Sequence, residues 1–250
     1  MDEEPAQLDA LIKSLDQPDK KALRRSVDTL IGLARTAPEL AGRLSALMDG
    51  APAEKRWPMA YVLAHISPLS PQCLDALEDT LGVDDPDIRW AVAVLLVRLA
   101  QAPGSIVVAR LIALLQAGKP TQRRMAVYCL RDIGAGVPSL EPALHAALDD
   151  PEPLVRVAAA TSLKTFPEIG KNALDRLLRM ISMDPDSRVR ASAALALAHL
   201  DAPAEQVRLA LQAAGEDSDP RLVKAARAAL ALLEQKGPAP SAKENTGPGD

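Results

Sequence analysis

The chain has 250 residues and a formal net charge of -4; 48% of its residues are hydrophobic and only 2% aromatic. So few large rings argue against a single thick globular core, which leans on Phe, Tyr and Trp for buried area. The acidic balance gives no global attraction for nucleic acid or anionic membrane, and the most apolar stretch, Ala91 to Val97, stops at Arg98, too short to span a bilayer.

Taken from the start, Met1-Asp2-Glu3-Glu4-Pro5 lacks a basic region followed by an apolar one, so no secretory signal is expected and the cytoplasm is the expected compartment. Leu8, Leu11, Ile12 and Leu15 then fall at helical spacing. Leu40, Leu44 and Leu47 predict another such helix, Leu74, Leu77 and Leu81 the next, and Ile106 through Leu115 a fourth. Leu140, Leu144 and Leu148, then Leu174, Leu177, Leu178 and Ile181, then Val207 and Leu211 continue the series. Each is followed by a break and a second, alanine-rich helix, such as Val155, Ala159, Leu163 and Phe166.

The breaks are themselves periodic. Pro18, Pro52, Pro86, Pro120, Pro151, Pro185 and Pro220 are separated by 34, 34, 34, 31, 34 and 35 residues, a period in the range of stacked repeats. Aspartate and proline are expected to open the second helices, and Gly50, Gly82, Gly118 and Gly215 to end first helices. The fourth break, Gly118-Lys119-Pro120, has no aspartate and precedes the short step, which predicts a kink or looser stacking there. No segment alternates as a strand would. The prediction is an all-α solenoid of about seven helix pairs over residues 1–236, held by neighbour contacts alone. From Gly237 the chain reads GPAPSAKENTGPGD, and a disordered tail over 237–250 is expected.

Asp150-Pro151-Glu152-Pro153-Leu154-Val155-Arg156-Val157-Ala158-Ala159-Ala160 resembles the turn and second helix of a HEAT repeat, most closely the short variety of phycobilisome lyase-type subunits. Asp184-Pro185-Asp186-Ser187-Arg188-Val189-Arg190 matches as well, and Asp219-Pro220 with Val223-Lys224 nearly so. The resemblance implies a right-handed α-solenoid whose second helices line a concave side. It also implies a ladder of polar contacts between units. The basic members would be Arg24, Arg56, Arg89, Arg123, Arg156, Arg190 and Lys224, and the acidic ones Asp16, Asp49, Asp85, Asp150, Asp184 and Asp219. It does not fix an activity, because one fold hosts many.

Trp57, Tyr61, Trp90, Tyr128 and Phe166 all fall in second-helix patterns. Trp57 and Trp90 stand six residues before Leu63 and Leu96; Tyr61 and Tyr128 stand two before Leu63 and Leu130. Trp and Tyr are frequent binding anchors, so Trp57, Tyr61, Trp90 and Tyr128 are the candidate partner-binding residues, with Arg98 and Arg131 as charged rim contacts; filling of gaps between thin layers is the competing role. Arg98, Asp132, His65 and His199 share a further column.

His65, His145 and His199 lie in three different units, and no HExxH, GxSxG, Walker or GxGxxG segment occurs. Cys73 and Cys129 form no CxxC pair and read as buried free thiols. No metal, cofactor or catalytic residue is expected. The expected function is a non-catalytic interaction scaffold or assembly factor gripping a protein or peptide, as a monomer or a subunit of a larger complex. Two alternatives follow the resemblance: a subunit of a phycobilin lyase-like chromophore-attachment enzyme, and a HEAT-like DNA-binding, alkylation-repair protein.

Overall fold

The computed structural model describes residues 3–134, 139–166, 168, 172–200 and 204–236; the expected tail lies outside them. Among the described residues there are fourteen α-helices and no strand. The fold is an all-α solenoid of helical repeats, and its helices gather into two compact units, Met1–Ile133 and Gly134–Asp250.

The first unit holds α1 (Glu3–Lys13), a 3-10 turn (Ser14–Asp16), α2 (Lys20–Leu33), α3 (Leu40–Gly50), α4 (Ala53–Ile66), α5 (Pro71–Thr80), α6 (Pro86–Ala100), α7 (Val107–Ala117) and α8 (Pro120–Ile133). First helices pack on the second helices that follow them, and α2 lies against α4, α6 against α8. Leu44, Leu77 and Leu111 on first helices, and Leu30, Leu63, Leu96 and Leu130 on second helices, are buried in successive layers. Ala60, Ala93 and Ala126 are buried beside them; so small a side chain lets helices approach closely, which explains how the core is built with few rings. In α3 the inner face is Leu40, Leu44 and Met48, whereas Leu47 is exposed. A step of four residues, not three, returns close to the starting direction after each turn here. Ile106, likewise expected inside, precedes α7 and is exposed.

The second unit holds α9 (Leu140–Leu148), α10 (Pro153–Leu163), α11 (Leu174–Met183), α12 (Ser187–Leu197), α13 (Ala204–Gly215) and α14 (Pro220–Lys236). Here α10, α12 and α14 stack in turn, and Leu144, Leu163, Leu177, Leu197 and Leu211 are fully buried. Phe166 is buried but sits three residues beyond α10, not on it.

The periodic prolines hold less uniform places than expected. Pro86 and Pro220 open α6 and α14 behind the caps Asp85 and Asp219. At α10 and α12 the capping acceptors are instead Glu152 and Asp186, so Pro151 and Pro185 lie in the preceding turn. That turn has its own acceptor: Asp150 Oδ1 takes the Glu152 N–H at 2.8 Å, and Asp184 Oδ1 the Asp186 N–H at 2.9 Å. Two acidic residues thus serve in relay, one tying the turn and one starting the helix.

The recurring arginines reach back to the same turn. Arg56, Arg89, Arg123, Arg156 and Arg190 donate to the carbonyls of Ala51, Val83, Gly118, Asp150 and Asp184. In the second unit they also cross to the next turn, Arg156 to Asp184 and Arg190 to Asp219. In the first unit lysines also reach the acidic residues of other turns, Lys55 to Asp16 and Lys20 to both Asp85 and Asp87. Arg24 and Lys224 are exposed.

The turn without an aspartate is tied by Gln122. Its Oε1 accepts the Lys119 N–H at 2.9 Å and its Nε2 donates to the Glu78 carbonyl at 3.0 Å. Arg110 on α7 holds the Glu78 carboxylate and Asp75 on α5. Gly118 fits this corner because a Cβ there would lie 2.5 Å from the Leu114 carbonyl oxygen. The unit boundary at Ile133 falls within the shortened 31-residue step that follows.

Candidate partner-binding site

Three second helices of the first unit, α4, α6 and α8, present the sequence-predicted aromatics. Counting four residues per step keeps a side chain on one face of a helix. On α6 that rule lines up Trp90, Val94 and Arg98; on α8, Arg124, Tyr128 and Asp132; on α4, Trp57, Tyr61 and His65. All of these side chains except Arg98, Val94, Trp90 and Asp132 are half-buried, and those four are exposed.

Trp90 is 43% exposed and Val94 68% exposed. The Trp90 ring stacks on Tyr128 across the α6–α8 seam, with centroids 5.5 Å apart and planes at 27°. Arg131 lies over the other partner of this pair, its Cζ 5.1 Å from the Tyr128 centroid, close enough for a cation–π attraction. Its Nε also meets Asp132 Oδ1 at 2.7 Å, and that carboxylate raises the guanidinium pKa further. On α4 the Tyr61 and His65 rings lie 4.9 Å apart, and His65 Nδ1 sits 2.8 Å from the Tyr61 carbonyl. Pro58 follows Trp57 inside α4; lacking an N–H, it cannot donate to the Glu54 carbonyl as another residue would.

The structure therefore brings Trp90, Tyr128 and Arg131 into one contact cluster, and Tyr61 into another with His65. Trp57 and Arg98 hold the expected helix faces. Val94 and Arg124 were missed by composition, which favours rings, yet their register announces them. Val94 stands two residues before Leu96, as Tyr61 and Tyr128 do before their leucines, and Arg124 stands six before Leu130, as the tryptophans do.

Away from this face, Cys73 and Cys129 are buried, and burial pushes both thiols up to about 12. Among the described residues no His, Cys, Asp and Glu side chains gather as a metal ion requires, and no helix is long and apolar enough to cross a membrane.

The family model for HEAT repeats matches residues 108–198, which spans helices of both units. Those residues are HEAT repeats. The fold of the chain is similar to that of Kap121p: the structure of Kap121p bound to Pho4p superposes at a TM-score of 0.61 with 18% identity, over 92% of this chain and 29% of that one. Kap121p bound to Nup53p gives 0.60 and 17% over the same shares. The chain thus spans 29% of the Kap121p length, and the likeness is one of fold. A human deoxyhypusine hydroxylase in complex with glycerol matches at a TM-score of 0.44 with 20% identity, over 92% of this chain and 96% of that one, a likeness too loose to bear on activity. No curated protein matches the sequence.

Proposed function

We propose that this protein is a scaffold that grips a protein or peptide on the exposed face of α4, α6 and α8. The observation that carries the reading is the Trp90–Tyr128 stack with Val94 beside it. A tryptophan 43% exposed and a valine 68% exposed stand one turn apart on the same helix face. The core face of this helix is already filled by Val92, Leu95 and Leu96, so Trp90 and Val94 are not needed to build it. Large rings with an apolar body and a polar edge are the residues that dominate binding energy when a partner covers them. A solenoid of like fold, Kap121p, has been solved bound to a partner, Pho4p, in keeping with this use.

Trp57 and Trp90 are the only tryptophans, so indole fluorescence reports this face and nothing else. Affinity capture from native extract, repeated with a Trp57→Ala, Trp90→Ala double variant, tests the reading. The expected outcome is partner loss with the far-UV helical signal intact. Retention of the same partners by the double variant would refute it, and loss of helicity would show that the rings are core.

A further inference from the structure

The apolar strip on α6 is bordered by charges that differ in one respect. The carboxylates of α6 and α8, Asp87 and Asp132, each already hold a cation. Lys20 Nζ lies 2.8 Å from Asp87, and Arg131 Nε 2.7 Å from Asp132. Asp85, the cap of α6, is held by Lys20 as well, at 2.6 Å. The cations are not matched in the same way. Arg98, exposed one turn beyond Val94, forms no ion pair among the described residues. Arg124 Nε is buried with no hydrogen-bond partner among them. The face is therefore apolar at its centre, with Arg98 as an exposed cation beside it that no carboxylate among the described residues neutralises, in a chain whose net charge is -4.

We infer that the occupant of this face is an acidic peptide segment, with an apolar side chain seated against Trp90 and Val94. An Asp or Glu residue flanking it would meet Arg98, the exposed cation one turn beyond Val94. This rests on the binding face proposed above and adds the partner's charge to it. Complementary charge at the rim of an interface selects the partner and speeds its approach. A nucleic acid fits less well, because phosphate recognition needs a run of free cations. The other arginines of α6 and α8, Arg89 and Arg123, are turned to the Val83 and Gly118 carbonyls.

The test is selection of a random dodecapeptide phage library on the full-length chain, counter-selected on a Trp90→Ala, Tyr128→Ala variant shown by circular dichroism to be folded. The expected result is a motif with Leu, Met or Phe flanked by Asp or Glu. A synthetic peptide of that motif should perturb the tryptophan fluorescence saturably. Its affinity should fall roughly tenfold in Arg98→Glu and weaken as salt rises from about 50 to about 300 mM. A neutral or basic motif, or full affinity in Arg98→Glu, overturns the acidic assignment while leaving the binding face in place. No enrichment over the counter-selected variant overturns both. Displacement of the bound peptide by a single-stranded oligonucleotide at the same salt overturns the choice of a peptide.

Discussion

Removing the Asp184 carboxylate should unlock the second unit. Arg156 Nε and Nη2 meet its two oxygens at 2.8 and 2.9 Å, and the side chains of Arg156 and Asp184 are only 11% and 7% exposed. Breaking a pair this buried from one side strands the other charge, at about 3–5 kcal/mol. Arg156 keeps its 2.8 Å bond to the Asp150 carbonyl, which favours the lower end. The same carboxylate accepts the Asp186 N–H, adding about 1 kcal/mol to the loss. Asp184→Ala should then cost about 4 kcal/mol in all. With a urea dependence of about 2 kcal/mol per molar, the midpoint should fall by about 2 M. Far-UV circular dichroism is the proper probe, since both tryptophans lie in the first unit. An Arg156→Met, Asp184→Leu variant should recover most of the loss, because an apolar pair avoids the desolvation of two charges. A single-variant cost below about 1 kcal/mol, the worth of an exposed pair, would refute the reasoning, as would a double variant no better than the single.

Three further outcomes follow from local geometry. Gly118→Ala should destabilise by about 1–3 kcal/mol, because its Cβ would strike the Leu114 carbonyl oxygen. Gly50→Ala, which meets nothing within 4 Å, should be neutral or stabilise by up to about 1 kcal/mol, and thermal melts of the two compare them directly. Cys73 and Cys129 should resist a thiol reagent at pH 8 in the folded chain and react together on denaturation, since burial raises both to about 12; fast labelling in native buffer would contradict their burial. Arg188 beside Asp186, with the N–H groups it caps, holds that carboxyl down to about 2 against its ordinary 3.8. A depressed acid stabilises the fold above the unfolded pKa and loses that effect as pH falls through the folded one. Asp186→Asn should therefore lose less stability than the parent between pH 4 and 2, and parallel acid titrations of the two by circular dichroism would show otherwise if the contact is idle.

Repetition made the fold readable: prolines and leucines return at fixed steps, and helix spacing places Leu44, Leu77 and Leu111 inside without any knowledge of neighbours. Errors arose where a residue's role depends on the turn before it. Pro151 and Pro185 resemble Pro86 in sequence, yet Glu152 and Asp186 supply later acceptors and move the helix starts beyond them. Leu47 is apolar but points outward, because composition does not encode a helix's exact rotation, and Ile106 is exposed where it precedes its helix. At the candidate face, the ring positions were legible and their partners were not. Trp90 and Tyr128 are 38 residues apart, and their stacking depends on how α6 lies against α8. Arg131 covers the Tyr128 ring from one turn further along α8 itself.

Gln122 has a consequence for anyone who would shorten, lengthen or transplant this array. A repeat whose turn closes on itself can be exchanged at its own ends, but this one closes on the Glu78 carbonyl, whose side chain is clasped in turn by Arg110. A cut between α5 and α8 would sever that clasp, so the four helices from Pro71 to Ile133 should travel as one cassette.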